Sequence, residues 1–322
     1  MKKGIIIHIL LALLVVSGCS QKTSVETKKA DSKTEATAKS TEITITDFAD
    51  RKVTFDKAPS NVVALSNGDM DIIYALGGKL VGRPTAHGKN ATPDLQAVEQ
   101  VGSSHEFDLE KIANLKADVV LGSNPMNLKD VAAVEGIGSK MILTNANSIK
   151  DIQKQILLYG DLLQKREKAA ELNKNIEEKL DEISQNQPGE KVRVLLIYGA
   201  PGTYLAALPN SLSGNILETV GGENIAADYP ALDQYPQYAQ ISAERIIESN
   251  PQYILLMGHG NPKEVREGFM KEMKQNAAWN NLDAVKNNRV EVLPSNLFGT
   301  NPGTQVTEAI DLLDGLLKSA KQ

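Results

Sequence analysis

One helix–strand unit recurs along this chain. Asp108-Leu-Glu110-Lys-Ile-Ala-Asn-Leu-Lys-Ala117 runs into Asp118-Val-Val-Leu-Gly122, and Ser242-Ala-Glu244-Arg-Ile-Ile-Glu-Ser-Asn-Pro251 runs into Gln252-Tyr-Ile-Leu-Leu256. Seven residues separate Glu110 from Ala117 and Glu244 from Pro251. A second pair keeps the same order: Asp71-Ile-Ile-Tyr-Ala-Leu-Gly77-Gly78 and Asn215-Ile-Leu-Glu-Thr-Val-Gly221-Gly222. Internal repetition of a supersecondary unit means repeated architecture. Two tandem lobes normally face each other across a cleft, and such clefts are common ligand sites.

Short apolar runs supply the strands. Ile43-Thr-Ile-Thr and Lys52-Val-Thr-Phe flank the turn-forming Asp50, and Val62-Val-Ala-Leu65 reads as a buried strand. Similar runs follow at Lys79–Gly82, Asp118–Leu121, Lys140–Leu143, Val192–Ile197 and Tyr253–Leu256. Helical patterns lie between several of them, which is the signature of parallel sheets. The fold class is therefore α/β: two lobes with central parallel-type sheets and a ligand cleft between them.

Residues 148–185 break the alternation. Ser148 is a helix N-cap with Asp151 in the first turn. Apolar residues then recur at helical spacing from Ile149 to Ile183, and Gln185-Asn-Gln-Pro-Gly ends the run. About 37 residues at roughly 1.5 Å each make a rod of roughly 55 Å. The simplest role is a single long helix joining the lobes. Gly160 is its one weak position, costing about 1 kcal/mol against alanine, and is where two helices would part. The expected organisation is residues 1–18 as signal peptide, 19–41 as Cys19 and a disordered tether, 42–147 as the N-terminal lobe, 148–185 as the connecting helix and 186–322 as the C-terminal lobe.

The N-terminus gives the compartment. Met1-Lys2-Lys3, an apolar run from Ile5 to Val16 and Val16-Ser-Gly18-Cys19 make the charged region, short apolar core and small-residue cleavage site of a secretory signal. The run is too short for a comfortable span. Cys19 is the only cysteine of the 322 residues, so disulfides and thiolate metal sites are excluded. Ser20–Thr41 is rich in Lys, Thr, Ser, Glu and Ala, with almost nothing apolar to bury. The formal charge is −5, and losing Lys2 and Lys3 with the signal gives −5 − 2 = −7. That argues against nucleic acid as a partner. No Gly-x-x-x-x-Gly-Lys-Ser/Thr, Gly-x-Ser-x-Gly or His-Glu-x-x-His motif appears, so an enzyme is not the expectation.

These features together resemble the substrate-binding lipoproteins of iron-siderophore, cobalamin and haem ABC importers, over about residues 42–320. Within that group, Gly199-Ala-Pro-Gly-Thr-Tyr-Leu-Ala206, Gly221-Gly-Glu-Asn-Ile225 and the run from His259 through Trp279 to Val290 most resemble the haem-binding members. The resemblance implies a class III periplasmic-binding-protein fold and haem as the transported ligand. It implies cleavage before Cys19 and diacylation of its thiol; two acyl chains anchor stably where one is marginal. The protein would then sit on the extracellular face of a Gram-positive type cell membrane. Its partners would be an ABC permease with a cytoplasmic ATPase, and surface haem donors upstream. The runner-up is a ferric-siderophore or cobalamin receptor on the same fold. A reading from another class is an extracellular haem enzyme or sensor.

His8 leaves with the signal, so His87, His105 and His259 remain as candidate ligands of haem iron. His259 lies between Gly258 and Gly260 just after a buried strand, where ligands of open α/β sheets bind. By spacing alone it is a loop histidine bonded to backbone; the resemblance places it on the family's axial histidine. His105 lies five residues before Glu110, where the resemblance leads to an axial methionine. This sequence departs from the pattern there, and the expected axial pair is His105 and His259. His87 reads as a solvated loop histidine, and Met126 and Met257 as reserve ligands that are more often core fillers. Tyr204, Tyr229, Tyr235 and Tyr238 are candidate cleft-lining residues; the last three cluster in a Pro-containing loop, where apolar contact with the macrocycle is the expectation and a phenolate bond the alternative. Glu110 and Glu244 sit near helix starts, where a carboxylate favours the positive end of the dipole. The resemblance makes them docking residues for permease arginines, one per lobe.

The anchor is separable from the cleft in this reading. Cys19→Ala is expected to abolish lipidation and membrane retention while leaving ligand affinity unchanged, as fractionation and ligand titration of the released protein would show.

Overall fold

Strict alternation of apolar and polar residues starts the ordered chain. Strands β1 (Ile43–Thr46) and β2 (Lys52–Phe55) pair antiparallel, Ile43 opposite Phe55 and Ile45 opposite Val53, with these four side chains buried. The computed structural model describes residues 42–85, 92–186, 189–200, 202–258 and 261–320. The signal, Cys19 and the tether lie outside the described residues.

The first lobe holds strands β3 (Val62–Ala64), β4 (Leu80–Pro84), β5 (Glu99–Gly102), β6 (Val119–Ser123) and β7 (Lys140–Thr144). All pair in parallel, in the order β5-β4-β3-β6-β7. Helices α1 (Asn67–Ala75), α2 (Pro93–Gln96), α3 (Leu109–Asn114) and α4 (Val131–Gly136) connect them. The pleat sends alternate side chains to opposite faces. Val62, Val119, Leu121 and Ile142 enter one apolar cluster, while Val63, Val120, Met141 and Leu143 enter another. Burial on both faces is why these strands read as continuous apolar runs.

Two helices follow, α5 (Ile149–Leu162) and α6 (Arg166–Gln185). The single rod expected over 148–185 is therefore two helices. At the break, Gln164 is left-handed (φ +55°), Gln164 N donates to Asp161 O at 3.2 Å and Lys165 N to Gly160 O at 2.7 Å. This closes a helix end of the Schellman type, with glutamine where glycine is usual. Gly160 permits the fold-back: a Cβ there would fall 2.4 Å from Ala169 Cβ. Asn173 Nδ2 donates to Gln153 O at 3.0 Å further along, so the helices run antiparallel.

The second lobe holds β8 (Arg193–Tyr198), β9 (Leu205–Ala207), β10 (Glu223–Asn224), β11 (Tyr238–Gln240), β12 (Tyr253–Met257) and β13 (Val290–Val292). The order is β11-β9-β8-β12-β13, with β10 on β8. β8, β10, β12 and β13 pair in parallel, and β9 runs antiparallel to β8 and β11. Helices α7 (Leu212–Thr219), α8 (Ala243–Ser249), α9 (Pro262–Met273), α10 (Asp283–Lys286), α11 (Ser295–Phe298) and α12 (Val306–Ser319) complete it.

The sequence repeat is a structural one. The side chains of Asp108 and Ser242 cap α3 and α8, accepting from the amides of Lys111 and Arg245. Lys116 and Asn250, each six residues past the repeated glutamate, both turn left-handed before the strand. Helices α1 and α7 end alike, with Gly77 and Gly221 at positive φ and Gly78 and Gly222 donating to Ile73 O and Leu217 O. The apolar interior is less divided than two independent lobes would require. One cluster contains Val62 and Ile72 of the first lobe, Ile152, Tyr159 and Ile176 of α5 and α6, and Val194 and Ile310 of the second. No helix among the described residues is long and apolar enough to cross a membrane.

Gly160→Ala should destabilise despite improving helix propensity. The gain is about 1 kcal/mol, against about 1–3 kcal/mol for forcing a methyl into a filled contact. A lowered urea midpoint is expected, recovered in the Gly160→Ala/Ala169→Gly double variant.

Candidate functional site

Parallel strands deliver their carboxyl ends to one edge, and His105 stands on that edge of the first sheet. Ser104 N donates to Leu65 O at 3.1 Å, just past β3, and Asn127 Nδ2 donates to Ser104 O at 2.8 Å, just past β6. Asn127 is fully buried; its Oδ1 accepts from Ser123 N at 2.9 Å, and its Nδ2 also reaches Asp130 Oδ2 at 3.0 Å. Ser103 N closes the turn onto Glu106 O at 2.7 Å. Gly102 is obligatory: its φ is +108° and a Cβ would fall 2.3 Å from Glu106 O. The His105 side chain is thus exposed at the tip of a turn whose backbone is held on both sides.

The second sheet has a matching feature. Gly199, past β8, has φ +135° and donates its N–H to Met257 O at 3.1 Å. A Cβ on Gly258 would fall 2.8 Å from Gly199 O. Two strand ends therefore touch backbone to backbone immediately before position 259. His259 and His87 themselves lie outside the described residues.

Between the lobes is a cavity of about 570 Å³, within the usual range of ligand pockets. The first lobe contributes the loop from Ser123 to Met126, and the second contributes Tyr198, Tyr235, Tyr238, Met257 and Phe298. Burial raises the Tyr198 hydroxyl, and burial together with Tyr198 pushes Tyr238 up to about 12. Both are phenols at neutral pH, and their rings lie 5.4 Å apart. Of the tyrosines expected to line the cleft, Tyr235 and Tyr238 are on this wall, with the reserve ligands Met126 and Met257, and Tyr204 and Tyr229 are not. Tyr204 packs edge-on against Phe269, 5.2 Å between centroids, and borders a separate hollow with Trp279. Tyr229 lies in the same core cluster with the Arg245 guanidinium 5.0 Å above its ring. Apolar packing inside the second lobe took these two side chains away from the cleft.

Glu110 and Glu244 are exposed in the first turns of α3 and α8. Neither forms an ion pair among the described residues.

Behind the cavity is a polar cluster that sequence reading missed. The Asp69 carboxylate is buried and accepts from Tyr159 Oη at 2.5 Å, Gln155 Nε2 at 2.6 Å, Thr144 Oγ1 at 3.3 Å and Ser66 Oγ at 2.6 Å. These donors come from α5, the end of β7 and the cap of α1. Gln155 Oε1 in turn accepts from Asn301 Nδ2 at 2.8 Å, and Asn301 lines the cavity. An aspartate and a glutamine inside otherwise apolar helical faces were the available signal.

The chain matches the periplasmic binding protein family over residues 62–297. It is 30% identical over 245 residues, 76% of this chain and 82% of the other, to the high-affinity heme uptake system protein IsdE of Staphylococcus aureus. An ABC transporter substrate-binding protein from Listeria monocytogenes superposes with a TM-score of 0.71 at 31% identity, covering 82% of this chain and 100% of that one. S. aureus IsdE complexed with heme superposes with a TM-score of 0.70 at 28% identity, covering 80% and 98%.

Asp69 makes a testable contribution to pH dependence. Burial raises its folded pKa above the ordinary carboxylate value, its hydrogen bonds offsetting part of the shift. Its contribution is then largest below about pH 3.9, the unfolded value, and is lost as pH rises towards the folded pKa. Asn at this position cannot titrate. In urea melts, the stability difference between wild type and Asp69→Asn should shift against wild type from about pH 4 upwards and then level off.

Proposed function

The chain belongs to the periplasmic binding protein family, as the substrate-binding component of an ABC importer and not an enzyme, and on that premise we propose that its ligand is haem. The iron is held between His105 of the first lobe and His259 of the second. The observation that carries this reading is the pinned turn of His105, beside the loop that walls the interlobe cavity. The backbone of that turn is held at the strand ends, where ligands of such sheets bind, and His105 stands exposed at its tip, outside the residues that line the cavity. His259 supplies the opposing imidazole, next to the Gly199–Gly258 contact. Two neutral imidazoles are strong ligands and leave no open iron position, which suits transport rather than oxygen chemistry. Aromatic and methionine side chains on the wall suit the macrocycle faces. The IsdE relative, named for heme uptake, supports the same choice of ligand.

In this reading Cys19 carries the lipid anchor, and residues 20–41 hold the lobes off the extracellular face of the membrane. Glu110 and Glu244 meet arginines of the permease, whose ATPase works on the cytoplasmic side. Surface haem donors act upstream. Exposed, unpaired carboxylates in matching places on the two lobes give such docking its register.

Haemin titration should give a Soret band at one haem per chain, with ferric hydroxamates binding far more weakly. Tight siderophore or cobalamin binding without a Soret shift would replace the haem assignment. Magnetic circular dichroism should report a six-coordinate low-spin bis-histidine haem. His105→Ala and His259→Ala should each give a five-coordinate or water-ligated complex, and His87→Ala should change nothing. A histidine–methionine spectrum, or an effect confined to His87, would refute His105.

Glu110→Ala and Glu244→Ala are expected to lower uptake by cells while haem affinity stays at the wild-type value. Loss of haem affinity with normal permease binding would instead assign both carboxylates to the ligand site.

A further inference from the structure

The chain from Ser295 to Gln305 leaves the second sheet after β13 and returns to it as α12, which packs on α6 and α7. In the middle of that excursion it touches the first lobe. Asp71 of α1 accepts at Oδ2 from Thr304 N and Thr304 Oγ1, both at 2.6 Å, and at Oδ1 from Gln305 Nε2 at 3.4 Å. Two glycines make the close fit possible. A Cβ on Gly68 would fall 2.6 Å from Asn301 Cγ, and one on Gly303, where φ is +65°, would fall 2.5 Å from Asp71 Oδ2.

Asn301 has a second role in this contact, because its side chain is also cavity wall. Its Oδ1 accepts from Gly303 N at 2.9 Å and its Nδ2 donates to Gln155 Oε1 at 2.8 Å. The polarity of that bond is dictated from the far end. Asp69 is an acceptor, so Gln155 must turn Nε2 towards it at 2.6 Å. Oε1 then faces Asn301, which must present its own amide N–H. Two amide side chains in series, Asn301 and Gln155, thus run from the cavity wall to the buried Asp69 carboxylate in the first lobe, with one permitted orientation each.

We propose that Asn301 is a positioning residue that ties the cavity wall of the second lobe to the first, and thereby fixes the lobe separation at which a ligand can be gripped from both sides. The proposal rests on the haem reading only for its ligand readout. With haem bound, a fixed separation decides whether both imidazoles reach the iron together. Asn301→Asp is nearly isosteric but sets an acceptor against Gln155 Oε1, so it breaks the relay without removing bulk. Asn301→Ala breaks it by truncation.

The test has two arms on the full-length chain carrying Cys19→Ala. In the first, nitroxides at Lys129→Cys and Lys263→Cys, both exposed, report the interlobe distance by pulsed dipolar spectroscopy without any ligand. Asn301→Asp and Asn301→Ala should broaden or shift the distribution, whereas Ser66→Ala, which touches Asp69 but not the crossing segment, should lower the melting temperature and leave the distance unchanged. In the second arm, haemin-loaded Asn301 variants should keep haem yet move towards a five-coordinate spectrum, with dissociation faster by about ten-fold, as expected for one buried hydrogen bond lost. Variants that only melt earlier, with wild-type distance and spectrum, would overturn the proposal. If wild type fails to bind haem, the haem reading falls, and the distance arm still decides the role of Asn301.

Discussion

Parallel strands end together on one edge of their sheet, and the cavity between the lobes depends on that constraint, met by β3 to β7 in the first sheet and by β8, β12 and β13 in the second. The segments after β6 and β7 stand on one side, the ends of β8 and β12 on the other, and the cavity lies between. Backbone hydrogen bonds turn this topology into fixed positions. Asn127 joins the turn of His105 to the end of β6. Gly199 and Gly258 bring two strand ends into contact without side chains between them. Both devices hold backbone rather than side chains in place.

Much of this could be read from residues, because apolar runs buried on both faces and paired N-caps leave plain traces. The strands at Val62, Asp118, Lys140, Val192 and Tyr253 and the duplicated helix–strand unit all have them. Strands β5, β9, β11 and β13 left little trace. They are three or four residues long, and Glu99–Gly102 carries two polar side chains whose place is set by pairing with β4. The alternative of two helices parting at Gly160 was legible, but the turn falls four residues later, at Gln164, a position that glycine normally announces.

The site divides along similar lines. A histidine next to a repeated helix cap is visible in a sequence, and so are exposed glutamates in matching first turns. Which tyrosines face the cleft is not, since Tyr204 and Tyr238 differ only in the packing of distant segments around them. The Asp69 cluster is the clearest case. Its members are Ser66, Asp69, Thr144, Gln155, Tyr159 and Asn301, drawn from the whole length of the chain. Ser66 with Asp69 and Gln155 with Tyr159 are neighbours on their own helices, but only the fold brings the two pairs together with Thr144 and Asn301 and so keeps a carboxylate out of water.

The apolar cluster that runs unbroken from β3 through α5 and α6 to α12 has a consequence for how the chain unfolds. Each half keeps apolar surface covered only by the helical hairpin and by the other half. Cutting between them would expose that surface, so the halves, sharing one interior, are expected to unfold together in one cooperative transition.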